Sequence, residues 1–258
     1  MTDIISIGPG ALVALTIAGA VAGWINTLAG GGSILTVPAM LFFGLPGPVA
    51  NGTNRVAVLV QSLSAISVFA KSGYADFRQS LAFAATASVG AVGGAFAGVG
   101  IEGVWFNRLV ALTMVGVVVS MLFDDAKKTV DAVPQRREEK SRKWLTHGLL
   151  LFAGFWGGLI QIGVGLLITP ILYRIAGIDL VRVAAHKSLV VVLISVIALL
   201  IFATNSTIYW QAGIALAVGN GVGAWFAANA AIAKGGQLIK LALYISAAAI
   251  IAKLIIFS

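Results

Sequence analysis

The chain of 258 residues contains no cysteine and only two histidines, His147 and His186. The lack of cysteine excludes disulfides, thiolate metal sites and a cysteine nucleophile. Two isolated histidines do not make the His-rich cluster of a catalytic metal site. The nine Asp and Glu residues are also few, and none lies deep in an apolar segment, so paired catalytic carboxylates are missing there. We therefore expect no enzyme activity, no bound metal and no cofactor.

Charged residues make up 10% of the sequence and hydrophobic residues 59%. The mean hydropathy of +1.01 lies far outside the range of soluble proteins, which indicates an all-α integral membrane protein. The net charge of +8 does not indicate nucleic-acid binding, because no polar domain could present a basic surface. The first apolar stretch follows Asp3 without a basic residue, so we interpret it as a mature membrane helix and not as a cleaved signal peptide.

Apolar runs separated by Gly, Pro or charged residues predict about ten hydrophobic helical segments, five in each half of the chain. The second and the seventh contain only about a dozen residues, whereas a spanning helix needs about 20. These two are tilted, incomplete or re-entrant, and the charges do not separate these alternatives. The ten segments lie near 11–28, 33–43, 52–71, 79–99, 104–122, 146–161, 165–176, 184–204, 210–232 and 238–257.

The distribution of basic residues predicts the orientation of the segments. With the N-terminus and the C-terminus outside, 14 of the 17 Lys and Arg residues lie on the cytoplasmic side, and only Arg55, Arg108 and Lys253 lie outside. This is the asymmetry of the positive-inside rule. It divides the chain into a first transmembrane repeat (1–123), a cytoplasmic linker (124–145) and a second transmembrane repeat (146–258). Because each repeat has an odd number of segments, the second enters the bilayer from the opposite side.

The two halves also resemble each other in sequence. A shift of 133 residues superposes several glycines and hydroxyl residues, which predicts an inverted-topology repeat of the kind found in secondary transporters. Glycines four residues apart in the fourth segment (Gly90, Gly94, Gly98), and Gly219 and Gly223 in the ninth, predict close helix packing. The matched pairs are Gly30 with Gly163, Gly32 with Gly165, Thr36 with Thr169, Gly44 with Gly177, Ser62 with Ser195 and Gly90 with Gly223.

Glycines interrupt the apolar sequence once in each half. A helix that breaks inside the membrane exposes backbone groups, and this is tolerated where they are buried in protein or line a cavity. The helix that follows the first break would aim its N-terminal N–H groups at that cavity, and the second half offers the same arrangement, so we expect these amides to hold a small oxyanion. An alternative is that the glycines only permit tight helix crossing. The residues concerned are Gly30, Gly31, Gly32 and Ser33 in the first half and Gly163 and Gly165 in the second.

Polar residues form a second set of candidates. Charged and titratable groups in membrane segments usually face a cavity or a partner, but long basic side chains at helix ends also extend to the interface. Two amides inside apolar helices could donate to an anion or bond to a neighbouring helix. A histidine could gate or carry protons. The candidates are Asn51, Thr53, Asn54 and Arg55 at the start of the third segment, His186 and Lys187 at the start of the eighth, and the amides Asn26 and Gln161.

Three motifs carry a resemblance to a known family. The run from Gly23 to Ser33, then Thr36 to Pro38 and Ala50 to Val56, resembles the signature of the sulfite exporter TauE/SafE family of bacterial permeases. The second half is similar to that family's second repeat. The resemblance implies a multi-pass permease of the bacterial inner membrane that carries small sulfur-containing anions such as sulfite or sulfonates.

We therefore predict a transporter that moves a small oxyanion by alternating access between two inverted halves. The glycine segments would supply backbone donors, Asn51, Thr53 and Asn54 hydrogen bonds, and Arg55 and Lys187 positive charge. A passive anion channel and a membrane assembly factor without transport are the alternatives. The expected partners are the anionic solute, the lipid bilayer and, as one option, a second copy of the chain in a homodimer.

Overall fold

The computed structural model describes residues 8–101, 105, 108, 109 and 139–242, and within these ranges the chain is helical with no β-strand. A π-helical turn, Ile171–Ile175, follows directly after Pro170, and residues 236–242 are helical as well. The helices are α1 (Pro9–Leu28), α2 (Ser33–Phe42), α3 (Gly47–Lys71), α4 (Phe77–Val99), α5 (Glu139–Leu159), α6 (Val164–Pro170), α7 (Leu180–Asn205) and α8 (Trp210–Lys234).

Five of the described helices, α1, α3, α4, α7 and α8, are long and apolar enough to cross a membrane. Large apolar side chains face outward, for example Phe42 (86% exposed), Val89 (67%) and Leu200 (64%). A surface of this kind is stable against lipid and not against water. At about 1.5 Å per residue, α2 extends only about 15 Å, half the hydrocarbon thickness. The structure is therefore that of a multi-pass membrane protein with short helices beside the long ones.

The 133-residue relation extends to the helices. It places α1 on α5, α2 on α6 with its π-helical turn, α3 on α7 and α4 on α8. These helices pack on helices of the other half. In the first half α1 and α3 pack on α8, and in the second half α5 and α7 pack on α4. The start of α3 lies near the end of α7, where Gly52 approaches Phe202. The ten-segment count and the opposite insertion of the two halves stay predictions.

The glycine stripes form close helix contacts, as the sequence predicts. A Cβ atom on Gly94 would lie 1.9 Å from the carbonyl oxygen of Phe155 in α5, and one on Gly90 would lie 2.0 Å from that of Leu151. On the other side, a Cβ atom on Gly223 would lie 2.0 Å from the oxygen of Ala20 in α1. These backbones are therefore in direct contact, which only glycine allows.

Two predicted boundaries are wrong in a way that matters for the site. Helix α3 begins at Gly47 instead of residue 52, and α7 at Leu180 instead of residue 184. Pro48 starts the former and the Asp179 side chain caps the latter, since proline suits the first helical turn and aspartate accepts from its N–H groups. The polar clusters therefore lie inside the helices and not at their ends. Helix α5 begins at Glu139, so residues 139–145 of the predicted linker are helical.

Several predictions fall wholly or mostly outside the described residues. They concern the fifth segment (104–122), most of the tenth (238–257), most of the linker (124–145) and the two chain termini. The predicted domain boundaries and terminal orientation are accordingly not tested.

The contact between α4 and α5 leads to a stability prediction. We expect Gly94→Ala to lower the melting temperature of the detergent-purified protein, because overpacking a close contact costs about 1–3 kcal/mol. Gly93→Ala is the matched control, since its added Cβ atom would lie 3.8 Å from the nearest atom, in the Phe155 ring. Both changes gain the same helix propensity. Equal melting temperatures for the two variants would contradict the close contact.

Candidate functional site

The two interruptions meet each other in the centre of the protein. A Cβ atom on Gly30 would lie 2.4 Å from the backbone of Gly165, and one on Gly165 would lie 2.5 Å from Gly30. Gly30 and its equivalent Gly163 have φ angles of 97° and 75°, a left-handed conformation that glycine adopts without strain. Gly30 and Gly165 therefore pack tightly against each other, and a contact of these glycines with an anion stays a prediction. A small cavity nevertheless lies beside them.

Polar side chains from both halves line this cavity. Among the residues that the structure describes, Lys187 is the one charged residue that lines it, and no carboxylate does. The lining residues are Asn26, Thr27, Ser33, Gln61, Ser62, Gln161, Val164, Gly165, Lys187, Ser188 and Val191.

Lys187 connects the cavity to the other half of the protein. Its ammonium group donates to the carbonyl oxygens of Asn26 (3.1 Å) and Thr27 (2.9 Å) in the last turn of α1. The last carbonyls of a helix have no partner within the helix, so a cation is favourable there. An ammonium group has three N–H donors, so one is available to the cavity. The side chain is 4% exposed, and the snorkelling interpretation is therefore wrong for Lys187.

Arg55 makes the corresponding contact in the opposite direction. Its guanidinium donates to the carbonyl oxygens of Gly157 (3.0 Å) and Gly158 at the end of α5. It also donates to Gln161 Oε1 (2.8 Å) and lies over the ring of Phe202, 4.4 Å from its centroid. The side chain is 0% exposed and does not line the cavity. Arg55 is therefore a link between the halves and not an interfacial anchor.

Gln161 holds the second interruption in an unusual backbone conformation. Its φ of 61° makes it the one residue other than glycine with positive φ in the described part of the chain. Such a conformation costs free energy and persists where surrounding contacts enforce it. Here the contacts are the Arg55 guanidinium and Ser195, whose Oγ accepts from Gln161 Nε2 (3.3 Å). Because Gln161 also lines the cavity, the link made by Arg55 reaches the cavity wall.

Asparagines hold the first interruption. Asn54 donates to Ser33 Oγ (3.2 Å) and accepts from Thr36 (2.6 Å), so it orients the serine that faces the cavity. Asn26 accepts from the N–H of Gly32 (3.3 Å). The backbone N–H of Gly32, which the sequence predicts to hold an anion, therefore already has a partner in the protein.

Four polar lining residues were not among the sequence candidates: Thr27, Gln61, Ser62 and Ser188. Two of them carried a signal. Gln61 lies seven residues after Asn54, which places both on one face of α3, and Ser62 matches Ser195 in the repeat. Gln61 accepts from Asn26 (3.1 Å). The hydroxyl of Thr27 is buried and has no hydrogen-bond partner among the described residues, so it is available to a bound molecule.

Other sequence candidates lie away from the cavity. Thr53 accepts from the N–H of Tyr209 (3.0 Å), and Asn51 donates to the carbonyl oxygen of Leu159 (2.9 Å). His186 packs against α4, on another side of α7. Of the sequence candidates, Asn26, Ser33, Gln161, Gly165 and Lys187 are brought together at the cavity. Across residues 8–101 and 139–242, no group of three His, Asp or Glu side chains could hold a metal ion.

Comparisons with known proteins find relatives that are named as membrane transporters. A probable membrane transporter protein of Sinorhizobium sp., ORF9, is 28% identical over 244 residues, which cover 95% of this chain and 92% of the relative. A probable membrane transporter protein of Haemophilus influenzae is 27% identical over 91% of this chain and 90% of its own length. The Escherichia coli K12 protein YfcA, also named a probable membrane transporter, is 24% identical over 91% and 86%.

No solved structure matches the chain. The family model of the sulfite exporter TauE/SafE matches residues 15–254, which is nearly the whole sequence. The resemblance noted from the sequence motifs is thereby confirmed, and the chain belongs to the sulfite exporter TauE/SafE family of membrane transporters.

Proposed function

We propose that the protein is a secondary transporter of a small sulfur-containing anion, such as sulfite or an organosulfonate. The observation that carries the proposal is the cavity between the two interrupted helices. A buried ammonium group lies there among hydroxyl and amide groups, with no carboxylate among the described lining residues. An environment of this charge favours an anion over a cation. The family name supports the choice of a sulfur oxyanion.

The lining residues supply the donors that an oxyanion needs. Lys187 offers its third N–H, Thr27 a hydroxyl without a partner, and Ser33 a hydroxyl oriented by Asn54. Hydrogen bonds between a cation and an anionic oxygen are about twice as strong as neutral ones. Lys187 would therefore contribute most to affinity, and the hydroxyls would orient the anion.

Alternating access would use the contacts that join the halves. Lys187 belongs to the second half but holds the end of α1 in the first, so an anion in the cavity competes with the α1 carbonyls for the ammonium group. Arg55 itself does not line the cavity, and neither do Gly157 and Gly158, whose carbonyl oxygens it holds. In our proposal Lys187 is the exchangeable link and Arg55 the permanent one, and binding loosens one connection while the other persists.

The direction of transport follows from the membrane potential if no ion is coupled. An interior-negative potential favours export of an anion by about 2.3 kcal/mol per charge per 100 mV. With the orientation expected from the basic residues, the protein would lie in the bacterial inner membrane with both termini outside. Uptake would require a coupling ion.

A binding screen and a flux assay test this function. A ligand of the native state raises the melting temperature by mass action, so we expect stabilisation by one or more of sulfite, sulfate, thiosulfate and methanesulfonate. The same anion should show saturable counterflow in proteoliposomes, that is, faster uptake of label when unlabelled anion is inside. Single-channel currents without counterflow would favour the passive channel. The absence of both anion binding and anion flux would contradict a transport function.

Lys187 gives a specific prediction. We expect Lys187→Gln to weaken anion binding about tenfold or more, because a hydrogen bond to a charged group contributes about 1.5–3 kcal/mol. The glutamine amide can still donate to the α1 carbonyls, so the fold should persist, and Lys187→Arg should retain binding better. Lys234→Gln at the exposed end of α8 removes the same charge as a control. Thermal shift and counterflow unchanged in Lys187→Gln would exclude a ligand role.

Arg55 should behave differently, with an effect on stability. Arg55→Met leaves the Gly157 and Gly158 carbonyls and Gln161 without their buried donor, and each unsatisfied group costs about 1–3 kcal/mol. We expect a large drop in melting temperature, and partial recovery in Arg55→Lys. Arg182→Met is the control, because that side chain is 61% exposed and such surface changes are usually within about 0.5 kcal/mol. Similar melting of the Arg55 and Arg182 variants would contradict the linking role.

A further inference from the structure

A second polar cluster lies outside the anion cavity, where α5 and α7 pack on α4. It contains both histidines of the chain, His147 in α5 and His186 in α7. His186 Nδ1 lies 2.6 Å from Ser80 Oγ, and His147 Nδ1 lies 2.7 Å from Thr86 Oγ1. The ring of Phe83 lies between them, 5.7 Å from each imidazole centroid. Helix α4 thus provides one hydroxyl for each histidine, at positions 80 and 86.

The two histidines differ in burial and in position. His186 is 1% exposed, whereas His147 is only partly buried. His186 directly precedes Lys187 in α7, and successive residues of a helix point in directions about 100° apart. The imidazole of His186 therefore faces α4 while the ammonium of Lys187 faces the cavity and α1. One turn of α7 connects the two sites.

The imidazole of His186 has a neutral hydrogen-bond partner in the described part of the chain. The hydrogen-bond partner is a hydroxyl, which accepts from or donates to an imidazole, and not a carboxylate that would hold it permanently charged. The charged groups that act on it are Asp76 at the start of α4 and Asp179 and Arg182 at the start of α7. Since the chain has no cysteine, histidine is the side chain whose ordinary pKa lies near neutrality.

We propose that His186 is the proton-binding site that couples proton movement to anion transport, an inference that rests on the proposed function. A proton from water binds an imidazole nitrogen and forms one N–H bond, and it returns to water on the other side of the membrane. The positive charge lies one residue from Lys187 and attracts the anion. By reciprocity, a bound anion strengthens proton binding by the same factor. The proton thus travels with the anion.

Proteoliposomes test the coupling with labelled methanesulfonate, which stays ionised, at a membrane potential clamped to zero. A gradient of one pH unit corresponds to about tenfold accumulation for one proton per anion. We expect accumulation in the wild type and in His147→Gln, and its loss in His186→Gln. Counterflow without a pH gradient should persist in His186→Gln. Accumulation retained by His186→Gln, or no effect of the gradient on the wild type, would overturn the proposal.

Counterflow also separates the two ideas. If the wild type shows no methanesulfonate counterflow, the proposed function fails for this anion, whereas counterflow without proton-driven accumulation contradicts only the coupling. A loss of both in His186→Gln would indicate a structural role, which the melting temperature of that variant would reveal.

A spectroscopic measurement is independent of flux. With isotope-labelled histidine the protein gives signals from two imidazoles, and His147→Gln leaves the signal of His186 alone. We expect this signal to shift with pH, with a midpoint that rises when methanesulfonate is added. An imidazole that keeps one protonation state at every pH at which the protein stays folded, or a midpoint that the anion does not move, would overturn the proposal.

Discussion

The fold depends on two buried cations that each satisfy the broken helix of the opposite half. Helices α1 and α5 end within an apolar protein, where water cannot complete the hydrogen bonds of their last carbonyls. Lys187 from α7 donates to the end of α1, and Arg55 from α3 donates to the end of α5. Without these donors the carbonyl oxygens at both interruptions would be buried without a partner, at a cost of about 1–3 kcal/mol for each group.

The described helices of the two halves correspond, but the basic residues do not lie at equivalent positions. The residue equivalent to Lys187 is Asn54, and the residue equivalent to Arg55 is Ser188. The cations therefore come from neighbouring, not identical, positions of the repeat. This small difference leaves Lys187 at the cavity and Arg55 enclosed behind Gln161. Of the two buried cations, only Lys187 is among the described residues that line the cavity.

Much of the site could be anticipated, because helix breaks and apolar runs are local properties. The interruptions after α1 and α5 follow from Gly30 and Gly163, and the close contacts of α4 follow from its glycine spacing. The sequence pattern predicts the starts of α3 and α7 four or five residues too late, because polar residues are typical of helix ends. Once those helices extend to Gly47 and Leu180, the same polar residues become buried, and their partners decide their role.

The sequence by itself determined the membrane class, the short helices and the family, because each depends on composition, spacing or motif. Only the tertiary structure decided which polar residues meet. Arg55 and Lys187 look alike in sequence, yet one is enclosed by carbonyls and an aromatic ring while the other reaches the cavity. The reason is that the role of each side chain depends on groups more than 100 residues away in the chain. The spacing of residues in the sequence does not show which of these distant groups lie close together in the fold.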